Sequence, residues 1–448
     1  MLRKAVKHRR KPKVLVDGLK KLFLLEYALS EFLLEREEPS HTSIISLMTG
    51  NHHFMLGPPG TAKSQLPLAI AMAFKEFWED PEFYFYKLMT RTMEPDELFG
   101  PLSLAGIDEG DYRREIEGFL PKARIFGGDE IYKSGDAVLN NLLGVLNEKL
   151  FKNGKNTLKV PLISMFSASN ELYEGSSLDA LHKRIAFRHL VKYIEEPDNF
   201  FKLLDHAAEG VAEPATSDIR LTGDELLEVQ QYLYEVPFGQ QAKVTMWDLR
   251  VGLDDAQMRG AMDDRLAYWL VSISRAEALS RCVSDQLNKQ IKEALPEDPE
   301  ELEEVDMPAT VRAVVADAEV DVSDVTIEPQ DFAITRHCFW TLPRDITKVR
   351  TVVLQIASPV ADEAMKYVDD AQKEFKQAEE VMRNPKISEA EQQQAALDAN
   401  TQVSEIVEKL EARIKETEGA SQRYFQQALN KASVTHRKIL EDFLGVNI

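Results

Sequence analysis

The sequence predicts an α/β fold followed by all-helical regions, and three observations carry that prediction. Short apolar runs alternate with helical segments up to about residue 205. A three-to-four apolar spacing then takes over, and beyond Arg344 nearly every segment reads as helix. Alternation of strand and helix argues for a parallel sheet joined by crossover helices.

The elements follow in order. Residues 1–21 open on "MLRKAVKHRRKPK", a basic arm without the apolar stretch of a secretory leader, which reads as a solvated tail. Residues 22–205 hold "HHFMLG", "FYFYKLM", "KARIFGG" and "VPLISMFSASN" as candidate strands. Residues 206–283 are helical, with "GDELLEVQQYLYEV" and "DDRLAYWLVSISRAEALSR" showing the period. Residues 284–325 contain "LPEDPEELEEVDMP" and read as an acidic insertion or linker. Mobility is expected over 296–306, where charges repel and little apolar surface offsets the ordering entropy. Residues 326–343 resume a foldable pattern as a last helical segment. Residues 344–448 should form three long helices, with Val403, Val407, Leu410 and Ile414 lining one face as a seam.

Composition narrows the function. A formal charge of −21 opposes a large phosphate-backbone surface, so nucleic acid is not expected as a partner. No apolar run is long enough to cross a bilayer. Cys282 and Cys338 are the only cysteines, which excludes a disulfide framework or a Cys-rich zinc site and suits a reducing cytoplasm.

The strongest chemical signal is "FMLGPPGTAKSQL", residues 54–66. It follows the phosphate-loop pattern G-x-x-x-x-G-K-[ST], with Ala62 in place of the second glycine. Gly57 and Gly60 let the backbone turn its N–H groups toward a phosphate. Lys63 adds a positive charge for the β- and γ-phosphates, and the Ser64 hydroxyl can ligand Mg²⁺. A helix expected to start near Ala62 would point its positive end at the same anion. The stretch Gly57-Pro58-Pro59-Gly60-Thr61-Ala62-Lys63-Ser64-Gln65 is therefore the candidate nucleotide-binding set.

Such a loop needs a second strand that carries an acid for the metal and one for water. "RIFGGDE" supplies Asp129 for Mg²⁺ and Glu130 for the water, at the carboxyl end of a candidate parallel strand. Gly-Asp is also a turn signal, so a surface turn is the competing reading.

Together with the loop, the blocks "LMTRTMEPDELFGPLS", "GFLPKARIFGGDEIYKSGDAVLNNLLGVLNEKLFKNG" and "SASNELYEGSSLDALHKRIAFR" resemble the MoxR family of AAA+ ATPases, and within it the RavA-like branch. The resemblance covers roughly the first 190 residues as an ordered set. It implies an AAA+ P-loop NTPase core with a parallel sheet, an all-α lid and a C-terminal triple-helix domain. It also implies ATP and Mg²⁺ as cofactors. Asn170 matches the family's sensor-1 residue, Arg184 its inter-subunit arginine finger with Arg188 as a second candidate, and Arg265 loosely its sensor-2 arginine. By residue type alone, Asn170 would be a turn residue and the arginines surface ion-pair partners, with Arg265 able to cap a helix or pair with Asp263. Gly127 and Gly128 stand where family members carry bulky apolar residues, and "RNPKISEAEQQQ" leaves no room for the branch's β-rich insertion.

The resulting expectation is a cytoplasmic, ring-forming ATPase, hexameric as in the family, that remodels proteins with a von Willebrand factor A domain partner. A nucleotide-gated scaffold with little hydrolysis is the alternative, and a nucleic-acid translocase a more distant one.

Overall fold

The computed structural model describes residues 12–172, 180–211, 214–296, 298, 301–302, 305–340, 342–384, 387–417, 419–444 and 446. It divides into two compact units, Met1–Ile346 and Thr347–Ile448.

The first unit is built on a parallel sheet. Its strands are β1 (His53–Leu56), β2 (Tyr84–Leu88), β3 (Ile125–Asp129), β6 (Ser164–Ser169) and β7 (Phe187–Leu190), in spatial order β2-β3-β6-β1-β7. Both β1 and β6 are buried along their whole length, as central strands of a two-sided parallel sheet should be. Because β6 lies between β1 and β3, its carboxyl end abuts both the phosphate loop and the acid pair. The surface-turn reading of "GGDE" is thereby overturned: Gly127 and Gly128 pair with Tyr86 and Lys87 of β2 and with Phe166 and Ser167 of β6. Between β3 and β6 the chain adds an antiparallel hairpin, β4 (Leu150–Asn153) and β5 (Asn156–Lys159), which the sequence reading missed.

Two expectations about the helices need correction. The basic arm does not extend to residue 21, because helix α1 already spans Pro12–Phe32 and buries Leu15, Leu19, Leu22, Leu25 and Leu29. Residues 1–11 lie outside the described residues. Nor are residues 284–325 a linker throughout. The helix Asp264–Ala294 runs past residue 283 and buries Leu287 and Ile291, and a further helix, Met307–Asp317, buries Val311 and Val315. Apolar residues one helical turn apart outweigh the surrounding acid there. The mobility expected over 296–306 falls in part on residues outside the described ones. Helix α2 (Glu37–Thr49) packs under β1, and α3 (Gln65–Met72) follows the phosphate loop, starting three residues later than expected.

In the second unit, Pro359–Met382, Glu389–Glu416 and Gly419–Lys438 pack as three helices after Ile346–Ala357. Their shared core contains Ala364, Val368, Ala371 and Ala378 from the first, Val403 and Leu410 from the second, and Phe425, Ala428 and Ala432 from the third. The four-three spacing on each helix makes this a bundle seam, and the small alanines let the helices approach closely.

Candidate nucleotide site

The site assembles at the carboxyl ends of β1, β3 and β6. Gly57 follows β1 and donates its N–H to the Ser169 carbonyl at 3.1 Å. A Cβ at Gly57 would stand 2.2 Å from the Val191 carbonyl oxygen, so only glycine fits there. The loop then turns through Gly60 at φ +80° and Ala62 at φ +60°. Position 62 is thus left-handed, which accounts for the usual glycine. Alanine holds the same geometry at a cost of about 1–2 kcal/mol.

The loop closes around Lys63. Its ammonium donates to the carbonyls of Gly57 (2.8 Å) and Pro58 (2.6 Å), and Thr61 Oγ1 lies at 3.3 Å. Burial pushes the Lys63 ammonium below its usual value, while the Asp129 and Glu130 carboxylates pull it back up. Ser64 donates its hydroxyl to Asp129 Oδ2 at 2.7 Å, and Gln65 opens α3. Tyr86 of β2 donates to the same Asp129 oxygen at 3.1 Å.

Glu130 occupies a left-handed conformation, φ +51°, and is only 7% exposed. Its Oε2 accepts from the Ser169 hydroxyl and from the Asn170 backbone N–H, both at 3.3 Å, with the Lys133 ammonium at 3.5 Å. Asn170 therefore reaches Glu130 through its backbone, and its side chain is exposed. The glycines that precede the acids have a packing reason. A Cβ on Gly127 would lie 2.6 Å from the Tyr84 hydroxyl oxygen and 3.2 Å from the Tyr86 ring. Two β2 tyrosines therefore cover the space that a bulky β3 residue would fill.

The arginines bond to other groups than these. Arg184 donates to the Ala180 carbonyl at 2.7 Å. Burial, and then the nearby Arg265 charge, hold the Arg184 guanidinium below its usual value. Arg265 is exposed in the first turn of Asp264–Ala294, and the cap of that helix is Asp263, which accepts from Leu266 N–H at 2.8 Å. Among the described residues, no hydrogen bond or ion pair joins either arginine to Lys63, Asp129 or Glu130. Arg188 is removed as a finger candidate. It is buried on β7 and donates to the carbonyls of Ile185 (3.3 Å), Cys338 (2.7 Å) and Trp340.

Sequence reasoning missed Tyr86 and Ser169. The only signal for Tyr86 was the aromatic run "FYFY", and its meaning depends on the β2–β3 register. Chemically, the Ser64 and Asp129 oxygens are hard donors suited to Mg²⁺, and the buried ammonium beside them suits a phosphate chain. The residues present therefore fit a magnesium nucleotide.

A phosphate loop after β1, an acid pair after β3 and a strand inserted between them define a P-loop nucleotide-binding fold. Residues 20–231 match the family model described as the MoxR domain in the MoxR-vWA-beta-propeller ternary systems. Two Methanocaldococcus jannaschii proteins, the uncharacterized proteins MJ0812 and MJ0079, are similar to this chain. The first is 42% identical over 178 residues, 40% of this chain and 46% of that protein. The second is 41% identical over 185 residues, 41% of this chain and 47% of that protein. The chain thus spans about half the length of these curated relatives. A solved structure from Cytophaga hutchinsonii overlays with TM-score 0.45 and 14% identity, covering 77% of this chain and 95% of that one. That likeness is too weak to carry an argument. Among the described residues, no helix is long and apolar enough to cross a membrane.

Proposed function

We propose that this chain binds Mg-ATP and hydrolyses it as a ring-forming, MoxR-type remodelling ATPase. The observation that carries this reading is the joined set Lys63, Ser64, Asp129 and Glu130, held between the phosphate loop and the Ser169-Asn170 end of β6. In bound Mg-ATP, the metal neutralises phosphate charge and the γ-phosphoryl group is the one transferred to water. Ser64 and Asp129 would hold the metal ion, and Lys63 the phosphate chain. Glu130 is the group that would orient and accept a proton from water, with Ser169 and Asn170 fixing its carboxylate.

Ring formation is supported by surface chemistry. The helix Pro197–Ala208 buries none of its residues and presents Phe200, Phe201, Leu203 and Leu204, each at least 43% exposed. Apolar surface of this kind is typical of an interface. Arg184 would act on a neighbouring subunit's nucleotide, in keeping with its hydrogen bond to the Ala180 carbonyl rather than to the chain's own acid pair. The MoxR-vWA description of the matching family supports a von Willebrand factor A domain partner, and the RavA-like branch and a hexameric ring belong to the same reading. The C-terminal bundle would then carry the docking surface.

The test is Mg-ATP turnover against protein concentration, with Glu130→Gln as control. Turnover per chain should rise with concentration, and the variant should lose about 10²–10⁴-fold while still binding ATP. Equal inactivity of both proteins, with and without candidate partners, would leave a nucleotide-gated scaffold in its place.

A further inference from the structure

Away from the phosphate loop, three imidazoles stack in a column. His53 on β1 lies 5.0 Å, centroid to centroid, from His189 on β7. His189 in turn lies 4.2 Å from His337 in the segment Arg336–Phe339. Thr42 of α2 fixes the proton positions. Its hydroxyl proton goes to the Glu38 carbonyl at 2.9 Å, and the same oxygen meets His53 Nε2 at 3.0 Å and His189 Nε2 at 2.8 Å. A hydroxyl has one proton; with it placed on a backbone carbonyl, that of Glu38 or of Pro39 at 3.2 Å, both ring nitrogens donate to the oxygen. Each ring therefore carries its lone pair on Nδ1. Among the described residues, neither His53 Nδ1 nor His189 Nδ1 makes a hydrogen bond, and His53 Nδ1 is buried.

On the other side of the column, buried His337 Nε2 lies 3.2 Å from Glu38 Oε2 in an ion-pair contact. Arg336 occupies Glu38 Oε1 at 2.9 Å, which leaves Oε2 facing the imidazoles. One ligand atom from each of Glu38, His189 and His337 lies within 4.8 Å of the other two. Nearby His41 is committed to Glu26 and Glu277 and stands outside the set.

We propose that Glu38, His189 and His337 form a binding site for a divalent transition-metal ion of the zinc class. Two imidazoles and a carboxylate are the donor set of such ions, whereas Mg²⁺ and Ca²⁺ prefer oxygen throughout. The Thr42 contact is the outer support a ligating histidine needs, because it fixes the tautomer and leaves Nδ1 of His189 as the donor. Bonds of about 2.0–2.1 Å in a tetrahedral shell set donors about 3.3 Å apart. Closing from the observed separation needs rotation of Glu38, whose side chain is 56% exposed, and a turn of the His189 and His337 rings out of their 29° stack so that their in-plane lone pairs converge. That exposure also gives the ion a route from solvent and a fourth position for water. The adjacent Arg336 charge makes this a weaker site than a closed four-ligand one. Bound metal would tie α2, β7 and the segment 336–339 together, three pieces distant in sequence.

The experiment uses the full chain, stripped with chelator and free of nucleotide, titrated with Co²⁺ and then Zn²⁺. One equivalent of Co²⁺ should give visible ligand-field absorption that one equivalent of Zn²⁺ removes. Glu38→Gln and His337→Asn should each weaken Zn²⁺ binding at least about tenfold. Asp129→Asn should leave the absorption unchanged, since that residue belongs to the nucleotide site. Glu38 is exposed, so Glu38→Gln decides the matter if His337→Asn fails to fold. Absence of the absorption in wild type, or Zn²⁺ binding in Glu38→Gln equal to wild type, would show a stacked-histidine network without a metal and overturn the proposal.

Discussion

Asp129 Oδ2 accepts two hydroxyls, from Ser64 of the phosphate loop and Tyr86 of β2. The first is the expected metal-site contact. The second holds the carboxylate from the opposite side, and it exists because Gly127 leaves room for the two β2 tyrosines. Tyr86 is therefore a positioning residue, and Tyr86→Phe isolates its hydroxyl. Loss of one hydrogen bond to a charged acceptor at this partly exposed position is worth about 1 kcal/mol. The variant should need roughly five times more Mg²⁺ for half-maximal turnover. Its fold should be unperturbed. A Mg²⁺ titration of ATPase activity reads this directly, and an unchanged midpoint would reduce Tyr86 to a packing residue. The loop and both acids were legible in the sequence because their chemistry is local. The partners of Asp129 and Glu130 were not, since Tyr86 and Ser169 reach them only through strand order and register.

At the scale of elements, apolar runs marked β1, β3 and β6 because central parallel strands are buried on both faces, whereas β2, a partly buried edge strand, was marked by its aromatic run. Strand β7 has only four residues, too few for a period, and it was read as motif rather than strand. The hairpin was missed although Asn153-Gly154 carries the turn signal, with Gly154 at φ +59°. Helix α1 was misread at its start because lysines on its outer face hid the leucine stripe beneath. The docking of residues 336–340 onto β7 is equally invisible in sequence, and it turns on Arg188. Its guanidinium serves the Cys338 and Trp340 carbonyls, while Trp340 Nε1 donates back to the Arg188 carbonyl at 2.9 Å. Arg188→Met would leave those buried carbonyls without donors at a cost of about 2–4 kcal/mol. All four tryptophans lie in the first unit, so urea unfolding followed by tryptophan fluorescence reports this loss without interference from the bundle. A midpoint equal to wild type would mean that the strap is held by its apolar contacts alone.

For the first unit as a whole, buried histidines set the response to acid. His52 sits in the core with Nε2 3.0 Å from the Leu146 carbonyl, and its Nδ1 accepts from Met165 N–H. Protonating Nδ1 would break that bond. Burial, reinforced by the Lys149 charge, lowers its pKa to about 4. His182 is held near 3 by burial and by Arg188, with its Nδ1 2.6 Å from the Tyr132 hydroxyl. Both have depressed folded pKa values, so the unfolded chain binds protons first as pH falls below about 6.5. Their stabilising contribution is complete above that pH and declines by about 1.4 kcal/mol per unit for each group as pH falls toward the folded values. Between pH 6.5 and 5 the two together should cost about 3 kcal/mol. His41 behaves oppositely: burial alone would lower its pKa, but Glu26 and Glu277 raise it well above the usual value. Its contribution is already complete below pH 6.5 and fades only as pH rises through its folded pKa, so it cannot offset the acid loss. Urea midpoints read by tryptophan fluorescence at pH 7 and pH 5 should therefore separate clearly. A His52→Asn, His182→Asn double variant, itself less stable, should lose the share of that pH dependence that these two groups carry. If the variant kept the full wild-type slope, the acid sensitivity would reside in the other buried histidines, such as His53, or in the carboxylates.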